Sequence, residues 1–209
     1  MKRPPEISIS RLFVYLRFLE DHLKEKGPNS TINSAELARH LDINHHQIRK
    51  DFSYFGKFGE RGVGYRTEEL KEKINQILGL SRKWRLCLCG AGNLGLALLA
   101  YRGFRQMNLN IVAIFDTDPK KVGKTIQGVR VYSARSIKDV AQKLNIDIAI
   151  VTVPVDAAQK IADQITQAGV RAILNFAPVK LNVPQNVKLR NADLSTELIN
   201  LTYFLSSPK

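Results

Sequence analysis

The chain has 209 residues, of which 44% are hydrophobic, 24% charged and 8% aromatic, and it carries 32 Lys and Arg against 19 Asp and Glu. That is too apolar for a disordered chain and long enough for one domain or two small ones, while a formal net charge of +13 points to a polyanionic partner, nucleic acid or an acidic membrane surface. No apolar run approaches the roughly 20 residues that cross a bilayer, and Met1-Lys2-Arg3-Pro4-Pro5 leads into no continuous apolar signal core, so a cytoplasmic protein is expected.

The first element is an amphipathic helix from about Ser8, with Leu12, Tyr15, Leu16, Leu19 and Leu23 on its apolar face and Gly27-Pro28 at its end. Asn33-Ser34-Ala35-Glu36 has the form of a capped start and opens a short helix with Leu37, Ala38 and Leu41 inward. After a turn through Asp42-Ile43, Asn44 caps a third helix, His45 to Tyr54, whose buried stripe is Ile48, Phe52 and Phe55. Arg49, Lys50 and Ser53 remain outside. Two short helices on a tight turn, the second bearing basic and hydrogen-bonding side chains, describe a helix-turn-helix that can enter a major groove. A small helical interaction domain with a solvated basic face gives a similar pattern.

Gly56 to Arg66 then holds four glycines among basic and aromatic residues and has the look of a β-wing, with Arg61 at a tip that could reach a minor groove. The candidate DNA-contacting set is Gln47, Arg49, Lys50, Ser53 and Tyr54 on the helix, with Lys57, Arg61, Gly62 and Tyr65 on the wing. Thr67-Glu68-Glu69-Leu70 is expected to cap a fourth helix running to Ile77-Leu78.

Beyond Gly79 to Lys83 the pattern changes to apolar strands alternating with helices. Trp84 to Cys89 is a strand; Cys87 and Cys89, two positions apart, fall on one of its faces and read as core residues. It runs into Gly90-Ala91-Gly92-Asn93-Leu94-Gly95 and then a helix from Leu96 to Phe104. In G-x-G-x-x-G the first glycine allows the tight turn, the second admits a pyrophosphate, and the third brings helix close to strand. A second strand, Ile111 to Phe115, ends at Asp116, twenty-one positions after Gly95, where a carboxylate can take the ribose hydroxyls of adenosine. NAD is favoured over NADP, a preference that Lys120, Lys121 and Lys124 blunt without reversing.

Further strands at Val129–Tyr132, Ile146–Val153 and Val170–Asn175, with helices at Ser136–Leu144 and Asp156–Ala168, complete a mostly parallel sheet covered on both faces. Thr152-Val153-Pro154 and Asn175-Phe176-Ala177-Pro178 end strands at its crevice and either terminate them or line an apolar nicotinamide pocket. Such a pocket senses redox state, because the charged oxidised ring costs more to desolvate than the neutral reduced one. The candidate cofactor-binding set is Gly90, Ala91, Gly92, Asn93, Leu94, Gly95, Tyr101, Asp116, Thr117, Asp118, Lys121, Thr152, Val153, Pro154, Asn175, Phe176, Ala177 and Pro178. Finally, Asp193 to Leu205 is a helix apolar over most of its circumference; packing on its own sheet would hide part of it, and burial between two subunits accounts better for its breadth.

Charge does not locate the binding surface, since residues 1–83 hold 16 basic and 11 acidic side chains and residues 84–209 hold 16 and 8. All four histidines, His22, His40, His45 and His46, precede the nucleotide-binding half. Hydride-transfer enzymes usually place a proton donor beside the nicotinamide, so an NAD-dependent oxidoreductase is the weaker reading, and no evident length is left for a substrate domain. A DNA-binding regulator that senses another adenine nucleotide, such as a coenzyme A derivative, is a further alternative.

The chain as a whole resembles the Rex family of bacterial redox-sensing transcriptional repressors. The resemblance is carried by Ile9-Ser10-Arg11-Leu12 with Tyr15-Leu16-Arg17, by Gln47-Ile48-Arg49-Lys50-Asp51 through Gly64-Tyr65, by Gly90 to Gly95 with Tyr101 and Gly103-Phe104, by Phe115 to Pro119, by Asn175 to Pro178, and by the helix from Asp193-Leu194. It implies an α/β protein: an N-terminal winged helix-turn-helix DNA-binding domain (residues 1–80), a Rossmann-like, doubly wound NAD(H)-binding domain (84–190) and a C-terminal dimerisation helix (191–209) exchanged between subunits. It also implies a homodimer on a palindromic DNA operator, released by NADH, with no catalytic residues and no metal. Residues matching Arg17, Tyr101 and Asp193 would form a polar linkage that acts as the allosteric switch. Ala192 stands where many relatives carry Val, which bears only on local packing.

Overall fold

A computed structural model describes residues 4–59 and 64–206, and the chain divides into two compact units, Met1–Arg82 and Lys83–Lys209. The first unit opens with α1, Glu6–Lys26, two residues earlier than the apolar spacing indicates, because Pro5 supplies a fixed φ at the cap position and Glu6 sits favourably in the first turn. Gly27, at φ 80°, ends it. After the two-residue strand β1, Thr31–Ile32, comes α2, Ser34–Leu41, whose cap Asn33 accepts hydrogen bonds from the N–H groups of Ala35 and Glu36 at 3.0 and 2.9 Å. Asp42, left-handed at φ 52°, turns the chain, and Asn44 caps α3, His45–Ser53, by accepting from His46 N–H at 2.8 Å. The strand β2, Tyr65–Arg66, pairs antiparallel with β1, and α4 spans Thr67–Ile77.

Thr67 does not cap α4. It is the first helical residue, fully buried, and its hydroxyl accepts from Ser30 at 3.0 Å, so Arg66 stands at the cap without a capping side chain. The core of this unit sets Leu12, Tyr15, Leu16 and Leu19 of α1 against Leu37, Ile48, Phe52, Leu70 and Ile74.

The second unit is built on a seven-stranded sheet. Its strands are β3 (Trp84–Cys89), β4 (Leu109–Asp116), β5 (Thr125–Ile126), β6 (Val129–Ser133), β7 (Ile148–Val151), β8 (Ala172–Asn175) and β9 (Lys188–Asn191), in spatial order β5-β6-β4-β3-β7-β8-β9. All pairings are parallel except the β5–β6 hairpin, whose turn residues Gln127 and Gly128 both have positive φ. Alternation along β3 sends Leu86 and Leu88 to one face, with Leu99, Ile114 and Ile150, and Cys87 and Cys89 to the other, with Ile137, Ala158, Ala162 and Ile165. Both cysteines are buried and free.

Helices α5 (Asn93–Ala100) and α6 (Arg102–Gln106) follow β3 where a single helix from Leu96 to Phe104 is expected from the apolar run. The break lies at Tyr101, extended at φ −70°, ψ 105°, whose ring folds over Gly103; a Cβ there would come within 2.6 Å of it. Helices α7 (Ile137–Lys143) and α8 (Val155–Gln167) cover the other face. Strands β5 and β9 carry no apolar run; β9, Lys188-Leu189-Arg190-Asn191, is a charged edge of the kind that discourages further pairing. The last helix, α9 (Leu194–Ser206), has no buried residue. No helix among the described residues is long and apolar enough to cross a membrane.

Candidate functional site

The chain leaves β3 through a turn whose three glycines have separate physical reasons. Gly90 has φ +100°, and a side chain there would press on the Thr152 carbonyl oxygen at 2.7 Å. A Cβ on Gly95 would lie 2.1 Å from the Gly90 carbonyl oxygen, so only glycine lets α5 approach β3 this closely. Gly92 faces open space and precedes α5, leaving the backbone free to approach an anionic ligand at a helix start. Thr152 closes the turn from the neighbouring strand end, its hydroxyl shared between the carbonyl oxygens of Cys89 and Gly90 at 3.0 and 2.9 Å.

Asp116 ends β4 beside this turn. Its carboxylate accepts from Ala91 N–H at 2.7 Å and Asp118 N–H at 2.8 Å, and Lys121 Nζ lies 3.6 Å away while donating to the Ala91 carbonyl at 3.0 Å. Burial alone would raise its pKa, but the Asp118 and Ala91 amides and Lys121 outweigh burial and hold it below the ordinary range. The group is therefore an oriented anion at neutral pH, suited to accept from ribose hydroxyls and repellent to a 2′-phosphate.

These groups open on a cleft of about 520 Å³, within the size range of small-ligand sites. Of the candidate cofactor residues, Gly90, Gly92 and Leu94 line it at the glycine turn and Asp116, Thr117 and Lys121 at the end of β4. Thr152, Val153 and Pro154 follow from the end of β7, and Phe176, Ala177 and Pro178 from the end of β8. The others do not line it. Ala91 and Gly95 are buried beneath the turn, Asn93 is an exposed first residue of α5, and Asp118 donates its amide to Asp116. Asn175 is fully buried and shapes the turn after β8 from within, and Tyr101 packs edge-on against Phe104 with ring centroids 5.1 Å apart. Phe115, Ala134, Val155, Ala157 and Ile161 also line the cleft; sequence reasoning missed them because they look like ordinary core, although Phe115 and Val155 adjoin positions already singled out. Among the described residues no cluster of His, Cys, Asp or Glu could hold a metal ion.

In the first unit α3 presents Arg49, Lys50 and Ser53 to solvent. Arg49 hydrogen-bonds His46 Nδ1 at 2.9 Å, and the Ser53 hydroxyl donates to the Lys50 carbonyl of its own helix. Lys57 is exposed, with its carbonyl held by the Lys73 ammonium. Tyr54 and Tyr65 are half-buried, Tyr65 lying edge-on to Phe52 with centroids 5.4 Å apart. Arg61 and Gly62 lie outside the described residues. Gln47 departs from the expected outward role, for its amide turns inward and donates to Asp51 at 2.9 Å.

Asp51 is the residue that the sequence reading passed over. Fully buried, it receives Ser8 Oγ at 2.8 Å, Tyr15 Oη at 2.7 Å and a two-pronged contact from Arg11 at 2.6 and 2.7 Å, tying α3 to α1. Burial would raise its pKa, yet the hydrogen bonds from Arg11, Tyr15, Ser8 and Gln47 hold it below the ordinary aspartate range, while burial and Asp51 push the Tyr15 phenol up. Its α1 partners lie about forty positions away in sequence, where no local pattern reveals them.

The switch candidates make other contacts. Arg17, in the first unit, lies over the Phe13 ring at 4.8 Å. In the second, Asp193 caps the start of α9, accepting from Ser195 N–H at 2.9 Å and Thr196 Oγ1 at 3.1 Å, bonds that lower its pKa.

Residues 5–53 match the family model described as "Putative DNA-binding protein N-terminus", and residues 81–179 the "CoA binding domain" model. The redox-sensing transcriptional repressor Rex of Desulfitobacterium hafniense (strain DSM 10664 / DCB-2) is 50% identical over 199 residues, covering 95% of this chain and 94% of the relative. That of Pelotomaculum thermopropionicum (strain DSM 13744 / JCM 10971 / SI) is 47% identical over 201 residues, covering 96% and 93%. Among solved structures, RSP in complex with β-NAD⁺ and operator DNA is similar with TM-score 0.93 at 38% identity, over 98% of this chain and 94% of that one. RSP in complex with β-NADH gives TM-score 0.86 at 36% identity, over 98% and 95%.

Proposed function

The chain belongs to the Rex family of redox-sensing transcriptional repressors, and from that premise we propose that its first unit binds operator DNA and its second reads the NADH/NAD⁺ ratio. The observation that carries this reading is the glycine turn held against an oriented Asp116 carboxylate, in a chain whose other unit exposes Arg49 and Lys50 on a capped helix-turn-helix. It is a regulator and not an enzyme; a cytoplasmic location follows from a DNA operator as partner. The residues present fit a dinucleotide: the α5 start for the pyrophosphate, Asp116 for the ribose, and the apolar turn at Phe176, Ala177 and Pro178 for the nicotinamide.

An apolar turn accepts the neutral reduced ring more readily than the charged oxidised one. A ligand shifts a two-state equilibrium only by its differential affinity, and a coupling of about 1–3 kcal/mol gives a useful 5- to 150-fold change in DNA binding. In this reading Arg17, Tyr101 and Asp193 supply the polar linkage that makes the two states differ.

The whole is read as a homodimer, so that two α3 helices meet a palindromic operator. Supporting it, Leu198 and Leu201 of α9 are 64% and 59% exposed and Phe204 and Leu205 74% and 87%, an apolar surface that an isolated chain would leave in water. Leu201→Asp is expected to convert the dimer to monomer in light scattering and to weaken operator binding by more than about tenfold, since one half-site contact set is lost. A dimeric Leu201→Asp protein removes α9 from the interface.

The test of function titrates the complex with an operator duplex, selected from random-sequence DNA, against NADH, NAD⁺, NADPH and coenzyme A. Release by NADH alone supports the reading; release by coenzyme A with no response to NADH overturns it. Arg49→Ala should lower operator affinity by about 1–3 kcal/mol, and full affinity would take Arg49 off the DNA-contacting surface.

A further inference from the structure

Asn175, at the end of β8, is fully buried and fully engaged. Its side-chain carbonyl accepts from Ala177 N–H at 3.0 Å, and its amide donates to the carbonyl oxygens of Ala177 at 3.0 Å and Val179 at 3.1 Å. Those three bonds fold residues 175–179 into a compact turn, three of whose members, Phe176, Ala177 and Pro178, line the cleft. The same nitrogen lies 3.0 Å from Asn191 Oδ1 on the edge strand β9, so that its two hydrogens serve three acceptors and one is shared. Asn191 is two positions before Asp193, whose carboxylate caps α9.

A short chain of contacts thus runs, within one unit, from the apolar end of the cleft through Asn175 and Asn191 to the first turn of α9. Its backbone part, the β8–β9 ladder with Ala192 N–H donating to the Asn175 carbonyl at 2.8 Å, holds β9 in place whatever the Asn191 side chain does. The 175–179 turn likewise keeps its three internal bonds without Asn191. The side-chain bond is therefore surplus to folding. What it adds is a directional tie between a turn that lines the cleft and the strand that leads into α9.

We propose that Asn191 is a positioning residue for the redox response, tying the 175–179 turn at the far end of the cleft to the start of α9 so that a shift in the one moves the other. The inference rests on the reading of the cleft as the NADH site and of α9 as the element that joins subunits. Asn191 does not line the cleft; it acts through its bond to Asn175. Because Asn191 is exposed in its strand, its replacement leaves no buried void, and because Asn175 retains two acceptors, no buried donor is orphaned.

Two variants separate a tie from mere local structure. Asn191→Leu keeps the size and removes the acceptor, whereas Asn191→Asp keeps an acceptor oxygen for the Asn175 amide. In the full-length protein, calorimetry gives the NADH dissociation constant, and fluorescence anisotropy gives the operator dissociation constants without NADH and at saturating NADH. The ratio of the last two measures the coupling. Asn191→Leu is expected to lower that ratio by about two- to thirty-fold, the range for residues that carry coupling without touching ligand, with NADH affinity within about twofold of wild type. Asn191→Asp should restore the ratio. An unchanged ratio in Asn191→Leu, a loss of NADH affinity in step with the ratio, or an Asn191→Asp protein as impaired as the Leu variant each overturns the proposal. A wild-type protein that holds operator equally with and without NADH refutes instead the functional reading beneath it, so the two failures are distinct.

Discussion

Asp51→Ala is expected to cost the DNA-binding unit about 3–5 kcal/mol, enough to unfold it in many proteins of this size. The carboxylate is the common acceptor for Ser8, Arg11, Tyr15 and Gln47, and its removal leaves the Arg11 charge, only 20% exposed, and the buried Tyr15 hydroxyl without their partner. The cost of truncation is mainly this orphaning, not the intrinsic worth of the ion pair. Asp51→Asn keeps the volume and one acceptor, and about 1–3 kcal/mol is expected. Urea melts of the full-length variants, followed by far-ultraviolet circular dichroism, measure both. An Asp51→Ala melt within about 1 kcal/mol of wild type would show that the network is dispensable. Operator binding should fall with the melt, because Asp51 supplies the hydrogen bonds that tie α3 to Ser8, Arg11 and Tyr15 of α1 beside their shared apolar core.

The same carboxylate has a defined pH signature. Its folded pKa is depressed below the ordinary aspartate value of about 3.9, so its stabilisation is complete above that value and is lost as pH falls through the folded pKa. The difference in stability between wild type and Asp51→Asn should be flat from about pH 5 to 8 and should narrow below about pH 4. A difference that narrowed at pH 6 would assign the effect to another group.

Gly95→Ala and Gly92→Ala should differ in stability, although both alter one glycine motif. A methyl at residue 95 meets the Gly90 carbonyl oxygen at 2.1 Å, and because the obstacle is backbone, either α5 moves off β3 or the turn distorts. Overpacking of this kind costs about 1–3 kcal/mol, and the displaced turn should weaken NADH binding by on the order of 100-fold, about 2.7 kcal/mol. At residue 92 the methyl meets nothing within 4 Å, so stability should match wild type while the methyl narrows the path of a pyrophosphate to the helix start. Melting and NADH calorimetry on the pair provide the test. A Gly95→Ala protein that melted and bound NADH like wild type would mean that the close approach of α5 to β3 does not matter for the site.

Legibility followed the range of the interactions. The caps Asn33 and Asn44 could be read because an N-cap and its target amides lie within three positions, and the structure has both. The glycine turn and Asp116 could be read because strand, turn and helix are consecutive and each glycine answers a local constraint. Thr67 was misread as a cap because the same residue type also serves as a buried hydroxyl, and only the packing of Ser30 against it decides which. Tyr101, extended between two short helices with its ring over Gly103, interrupts a run that its apolar spacing reads as one helix. The strand β9 is polar because it is an edge, so it lacks the apolar run by which strands are recognised.

What the amino-acid sequence determined by itself is what short-range periodicity and backbone stereochemistry can encode: the capped helix-turn-helix, the parallel strands with their glycine turn, and an acidic residue placed for a ribose. Only the tertiary structure decided which polar residues are shared between distant segments. Asp51 gathers partners from α1, Asn175 and Asn191 join two strands, and Gln47 turns inward to Asp51. Each of these side chains is short and polar, common in loops and on surfaces alike. Its role is fixed by the cost of leaving a buried hydrogen-bonding group unpaired, and that cost exists only once the chain has folded and excluded water around it.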